Sequence, residues 1–333
     1  MILINKTFGN KSFFQFSEEH WETINPYSAN LKRYYIKESL IGRIETKMEE
    51  HRIHGRNAQS NFYSILLSEN YNLLKRIILT HIDNFPDLII EVETILKNNG
   101  LHPLNNAIKF GEELDTVFNY ENWRTNGKGA DFFREMGLEV CPYCNIENMY
   151  EEKEREIVVA SFDHFYDQST YPYLSLSFYN VIPVCKICNE THKGSTKFTV
   201  GNYCHPYSDD YNLNVQFESD YFKECPDYKI SIKHKTNINN RFSNFTNALS
   251  FKTSYNVNNI KKYAKLLYIR SQEYDETKKA TILTEYPGLT KTEVEKGICE
   301  IIDVPYANSE ILNHQFGKLK RDLSKNYKII TTL

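Results

Sequence analysis

Two Cys-x-x-Cys pairs constrain this chain more than any other feature. Cys141-Pro142-Tyr143-Cys144 and Cys185-Lys186-Ile187-Cys188 are separated by forty residues. Two such knuckles can supply four thiolates to one tetrahedral zinc ion, the closed set of a structural site. A redox pair of the thioredoxin kind wants a single Cys-x-x-Cys in a βαβ pattern, and no such pattern is visible. The insert exceeds the spacing of a simple zinc ribbon. It has room for two strands and a loop, so a working segment can sit between the knuckles.

The insert carries chemistry. Ile157-Val158-Val159-Ala160-Ser161-Phe162 is a β-branched run that predicts a strand, with Asp163 and His164 at its end. Asn180-Val181-Ile182-Pro183-Val184-Cys185 predicts a second strand. Between them, Ser169-Thr170-Tyr171-Pro172-Tyr173-Leu174-Ser175 has the composition of a loop. Tyr171 or Tyr173 either stacks on a base or packs beneath that loop. Cys188-Asn189 opens a segment, with Lys193 and Lys197, that can be helical; both lysines are candidate phosphate contacts. Asp163 and Asn189 offer hard oxygens, which suit Mg²⁺ (or Mn²⁺) better than zinc. His164 has an intrinsic pKa near working pH and can take a proton from an attacking water. His192 follows Asn189 by three residues, on one face of an α-helix, and is a rival ligand.

A strand ending in Asp-His, a loop, a strand with Asn, a knuckle and a helix with Asn resembles the HNH endonucleases, the ββα-metal family. Cys141, Cys144, Asp163, His164, Asn180, Cys185, Cys188, Asn189 and Lys193 carry the likeness, over about a sixth of the chain. The resemblance implies an α+β fold: a mainly helical chain around a central zinc-stabilised ββα-metal core. It implies that Asn180 braces the loop carrying His164, and it favours Asn189 as the metal ligand, with His192 the alternative. It also implies metal-dependent phosphodiester hydrolysis to a 5′-phosphate and a 3′-hydroxyl, with DNA the expected substrate. Tyr171-Pro172-Tyr173-Leu174-Ser175, then Cys188-Asn189, then His205-Pro206-Tyr207 resemble, more narrowly, PtuB-type HNH proteins of bacterial Septu and retron anti-phage defence systems. That likeness implies an antiviral effector working beside an ATPase partner. Two alternatives stand. One is a zinc-stabilised nucleic-acid-binding or interaction module whose Asp-His is vestigial. The other is a stand-alone restriction-type nuclease.

At 333 residues the chain has room for two or three compact units. The expected division is a helical region over 1–135, the nuclease core over 136–210, and short strands followed by helices over 211–333. A hydrophobic fraction of 41% with 25% charged residues describes a globular chain. No apolar run approaches a membrane span, and Met1-Ile2-Leu3-Ile4-Asn5-Lys6 does not read as a signal peptide. Seven cysteines, four of them in the two knuckles, point to a reducing cytoplasm and away from a disulfide framework. Cys204, Cys225 and Cys299 are expected to be buried or free thiols. A net charge of −3 gives weak long-range attraction to nucleic acid. A binding face must therefore be local, or a partner must supply it.

Helical periodicity dominates the flanks. It runs through Ile36, Leu40, Ile44 and Met48, through Leu74, Ile77, Ile78 and Ile82, and through Ile89, Val92 and Leu96 after Pro86. Asn98-Asn99-Gly100 stops the third of these. Ala107, Phe110, Leu114 and Val117 give a fourth helix, and Gly129–Gly137 a short fifth, whose Arg134 faces phosphate or solvent. His51, Arg52, His54 and Arg56 read as a solvated turn. The charge run 151–156 reads as an exposed loop. Residues 213–217 and 228–234 alternate as strands. Later helices carry Phe242, Phe245 and Leu249, then Ile260, Ala264, Leu267 and Tyr274. Thr290-x-x-Glu293 is a capping box. A last amphipathic helix carries Leu312, Phe316, Leu319 and Leu323, with Lys318, Lys320, Arg321, Lys325 and Lys328 crowding that end. His205 either assists the site or is a packed loop histidine.

Overall fold

The structure is a computed structural model. It describes residues 4, 7–8, 11–30, 32–101, 108–152, 154, 157–221, 228–234 and 240–332. Helices predominate, and the sheets are small two-stranded pairs, so the class is mixed α+β. The N-terminal part begins with the pair β1 (Thr7–Phe8) and β2 (Lys11–Ser12). Helix α1 (Phe13–Ile24) follows, started by a Ser12/Gln15 capping box and burying Phe16, His20, Trp21 and Ile24. A second pair, β3 (Tyr27–Ser28) and β4 (Arg33–Tyr34), leads to α2 (Leu40–Ile53). Ser39 caps α2, so Ile36 lies outside the helix that its spacing suggested, and is exposed.

Helix α3 (Asn57–Leu79) is kinked, with Glu69, Asn70 and Tyr71 all at positive φ. Ile82 sits in a following 3-10 turn. Helix α4 (Phe85–Asn98) has Pro86 in its first turn, where the missing N–H costs nothing, and Gly100 beyond its end takes φ +71°. Helix α5 (Ile108–Phe118) buries Phe110, Leu114 and Val117; Ala107 lies outside the described residues. Helix α6 (Tyr120–Thr125), capped by Asn119, was not legible from periodicity. Helix α7 (Lys128–Met136) ends at Gly137, φ +58°.

The strand expected over 157–162 is two strands with different partners. β5 (Tyr150–Glu152) pairs with β6 (Ile157–Val159), and β7 (Ser161–His164) pairs with β8 (Val181–Val184), both antiparallel. Part of the charge run is therefore strand. Glu151 is half-buried and binds Arg134, which also pairs with Asp131. Lys153, Arg155 and Glu156 lie outside the described residues. In β8, Pro183 is tolerated because the strand pairs on one side only. A π-helix, Ile187–Lys193, follows the second knuckle, with Gly194 N–H donating to the Asn189 carbonyl at 2.9 Å.

Beyond it come α8 (Tyr211–Asn214) and a hairpin of β9 (Val215–Ser219) with β10 (Ile230–His234). Helices α9 (Arg241–Ala248), α10 (Phe251–Ser254), α11 (Asn258–Glu273), α12 (Glu276–Glu285), α13 (Lys291–Ile301) and α14 (Gly317–Asn326) complete the chain. The Thr290/Glu293 capping box opens α13 as its spacing requires. The basic residues of the last helix are not a surface patch. Lys318, Lys320 and Arg321 are buried on Asp322, Asp303 and the Tyr306 carbonyl.

One contiguous apolar cluster runs from Ile4 to Ile330 and draws on all three expected segments. Two of its contacts position the middle of the chain. Phe162 of β7 stacks edge-on against Trp123 of α6, at 5.5 Å between ring centroids, and against Phe132 of α7 at 6.3 Å. Such aromatic pairs add roughly 0.5–1.5 kcal/mol each beyond area burial. Asn145, just after the first knuckle, is buried at φ +54°. Its amide donates to the carbonyls of Ile311 and His314 and accepts from Lys318 N–H, stapling the knuckle to the C-terminal segment. Among the described residues, no helix is long and apolar enough to cross a membrane.

Candidate metal centre and adjoining histidine

The four knuckle cysteines are buried, and their sulfurs all lie within 4.8 Å of one another. Cys144 Sγ and Cys185 Sγ are 3.9 Å apart. A disulfide would need about 2.05 Å. A tetrahedral ion with metal–sulfur bonds of about 2.3 Å puts sulfurs roughly 3.8 Å apart. Backbone N–H groups of Ile146, Cys185 and Cys188 donate to Cys144, Cys141 and Cys185 Sγ at 3.2–3.4 Å. Such donors stabilise thiolates and orient them. Hydrogen bonding to the other three sulfurs, together with burial, pushes the Cys188 thiol up; a metal cation would supply the missing positive charge. The donor set and spacing therefore fit zinc, bound with no open position.

Each knuckle also sends one side chain to Asp163. Strand alternation turns Phe162 toward α6 and α7 and Asp163 the other way. Asp163 is 3% exposed. The Tyr143 hydroxyl, from inside the first knuckle, donates to its Oδ2 at 2.6 Å. Lys193 Nζ, from the π-helix after the second knuckle, donates to its Oδ1 at 2.6 Å and to the His164 carbonyl at 2.5 Å. Burial, reinforced by the neighbouring carboxylate, holds the Tyr143 phenol far above its ordinary range, so it stays a donor.

His164 closes β7 and is half-buried. Its Nε2 lies 2.9 Å from the Ser175 carbonyl. A carbonyl only accepts, so Nε2 carries the proton and Nδ1 keeps the lone pair of the neutral ring. Burial lowers the imidazole pKa, against the opposing pull of the Ser175 carbonyl, so the ring is neutral at pH 7. The Tyr120 ring packs edge-on at 4.4 Å.

The loop between β7 and β8 is tied by Asn180, which is fully buried. Its Oδ1 accepts from Tyr166 N–H at 2.8 Å, and its Nδ2 donates to the carbonyls of Tyr166 and Leu174 at 3.0 and 3.1 Å. The carbonyl that fixes His164 belongs to this loop. Asn189 Nδ2 donates to Ser161 Oγ at 2.9 Å. Asn189 and Lys193 are four residues apart, about one turn of the wide π-helix, so both reach β7. The α-helical spacing that would favour His192 does not apply there, and His192 is half-buried.

A Mg²⁺ ion at Asp163 would need carboxylate oxygens open to the ion and to water. Here both oxygens carry donors, the group is buried, and an ammonium stands against it. As arranged, Asp163 and Asn189 do not fit a Mg²⁺ site. Lys193, expected to touch phosphate, is spent inside the protein. Lys197 is exposed and bonds Thr170 Oγ1. Tyr171 is half-buried and packs on Tyr166 and Tyr173, while Tyr173 is buried. His205 is a packed residue, edge-on to Phe165 at 4.4 Å between ring centroids and accepting Tyr207 N–H at Nδ1. Cys204 and Cys299 are buried thiols; Cys225 lies outside the described residues. His51 is buried against Glu113, and Arg52 pairs with Glu49.

Sequence reasoning missed Tyr143 as a partner of Asp163, although it lies inside the first knuckle. It also missed a cleft of about 470 Å³ along β7, lined by Tyr120, Arg124, Gly127, Ser161, Phe162 and Lys186. The cleft includes the start of α7, where unpaired N–H groups carry partial positive charge. Comparison with protein-family models, curated proteins and solved structures found no match for this chain.

Proposed function

We propose that this protein hydrolyses nucleic-acid phosphodiester bonds, DNA foremost, on a ββα core of the HNH kind stabilised by zinc. In this reading β7, β8 and the π-helix are the ββα unit. The observation that carries it is the state of His164: a neutral imidazole, its Nε2–H committed to the Ser175 carbonyl, its Nδ1 a base. A water approaching Nδ1 gives up its proton to the imidazole as its oxygen attacks phosphorus. The bond from phosphorus to the 3′ oxygen breaks, and that oxygen takes a proton from solvent water and leaves as the 3′-hydroxyl, with a 5′-phosphate as the other product. Arg124 and Lys186 flank the neighbouring cleft, the place for the phosphodiester backbone. Both also pair with glutamates, Glu121 and Glu190, which suits a weak binder at net charge −3. An ATPase partner of an anti-phage system that gates or delivers the enzyme accords with that weakness and with the narrower resemblance. Zinc joins the two knuckles and so fixes the two residues that hold Asp163.

One observation favours a non-catalytic, zinc-stabilised nucleic-acid-binding module instead: the buried pairing of Asp163 with Tyr143 and Lys193. Plasmid nicking by the zinc-loaded full chain, wild type against His164→Ala, tests the two. The nuclease reading expects a loss of at least about 100-fold in His164→Ala, with zinc content and melting temperature unchanged. Full activity in that variant would refute the role of His164. Wild-type binding to DNA without nicking would favour the binding module.

A further inference from the structure

The carboxylate at which family resemblance puts a divalent ion already has a cation. Lys193 is 4% exposed, against 3% for Asp163. Its ammonium has a complete set of neighbours: Asp163 Oδ1 at 2.6 Å, the His164 carbonyl at 2.5 Å, and the face of the Phe198 ring, centroid 5.1 Å away. An ammonium has three protons and favours carboxylate, carbonyl and aromatic-face partners. The Tyr143 hydroxyl takes the other carboxylate oxygen. The pair is neutral as it stands, and a buried pair persists when its remaining lone pairs and protons are met.

The backbone gives a second reason. The π-helix sets Asn189 and Lys193 one wide turn apart, so that Asn189 meets Ser161 while Lys193 meets Asp163, two residues further along β7. The amide is used to align the helix on the strand, and the ammonium follows. A divalent ion at Asp163 would sit against a buried positive charge with no solvent to screen it.

We propose that the Lys193 ammonium is the resident cation of Asp163, filling the place that a divalent metal ion takes in HNH-type sites. The consequence for chemistry, that His164 works without a divalent ion on its neighbour, rests on the nuclease reading. The consequence for metal binding does not, and it is measured without substrate.

The probe is Mn²⁺, counted per chain by electron paramagnetic resonance on the zinc-loaded full chain. Wild type and Asp163→Asn are expected to bind the same number of Mn²⁺ ions. Lys193→Met, which frees the carboxylate at similar volume, is expected to gain one. Loss of one bound Mn²⁺ in Asp163→Asn relative to wild type would overturn the proposal. So would a Lys193→Met protein that keeps its zinc and gains no Mn²⁺. If either single variant loses zinc and fold, the neutral pair Asp163→Asn with Lys193→Met replaces it. Its Mn²⁺ count should equal that of wild type, and a count lower by one overturns the proposal. Absence of nicking by the wild type would sink the nuclease reading and leave these counts unaffected.

Discussion

Removal of the Asn180 side chain should loosen the loop that holds His164. Asn180→Ala deletes three hydrogen bonds at a fully buried position. One backbone N–H and two carbonyls lose that partner. An orphaned buried polar group costs about 1–3 kcal/mol, and carbonyls, with two lone pairs, sit at the lower end. The Leu174 carbonyl still accepts from Ser177 N–H, so one N–H and one carbonyl are orphaned. The expected destabilisation is about 2–4 kcal/mol, a large fraction of the roughly 5–15 kcal/mol that holds a domain together. Asn180→Asp keeps the acceptor for Tyr166 N–H but turns a carboxylate toward two carbonyls, so it should be no better. Urea unfolding in zinc-saturated buffer measures the change with metal linkage held constant. At temperatures where the variant stays folded, plasmid nicking should still fall, because a shift of about 1 Å in a reacting group costs on the order of 100-fold. A variant within 1 kcal/mol of wild type, with undiminished nicking, would show that Asn180 does not hold this loop.

Two further outcomes are expected. Purified protein should contain one zinc per chain by elemental analysis, and Cys185→Ser should lose both metal and cooperative folding, since structural zinc binding is folding free energy; a folded wild type without zinc contradicts the site. His20, buried in α1 and donating to the Leu176 carbonyl, has its pKa lowered to about 4, chiefly by burial, with Lys128 nearby adding to the effect. The unfolded chain takes up this proton near pH 6.5 and the folded chain does not, so the stability His20 contributes is complete above pH 6.5 and is lost as pH falls toward 4, by about 3 kcal/mol in all. Stability of wild type and His20→Gln measured from pH 7 to 4.5 should diverge by about 1 kcal/mol per pH unit below 6.5, and parallel curves would refute the burial argument.

Local pattern was enough for much of the helical scaffold. Helices α4, α7 and α13 follow from Pro86, Gly137 and the Thr290/Glu293 box, because caps and stops act within a turn. Helix α6 escaped because six residues are too few to show a period. The strand over 157–162 was legible as extended chain, but its break at Ala160 was not. Which partner a strand takes depends on residues far away, here β5 for one half and β8 for the other.

The four-cysteine cluster was legible in the sequence alone, since two knuckles brought together make one tetrahedral donor set that suits zinc and their spacing suffices to name the ligands. The order Asp163, His164, Asn180, Asn189 was likewise readable. Tertiary structure decided what each of these residues touches. Asp163 meets Tyr143 and Lys193 because strand alternation turns it away from the aromatic cluster that takes Phe162. Lys193 points inward because the helix after the second knuckle is a π-helix, which sets Lys193 one wide turn beyond Asn189 and against the Asp163 end of β7. Lys318, Lys320 and Arg321 of α14 crowd together in one dimension and are buried in three, because their carboxylate and carbonyl partners reach them only when the chain is folded.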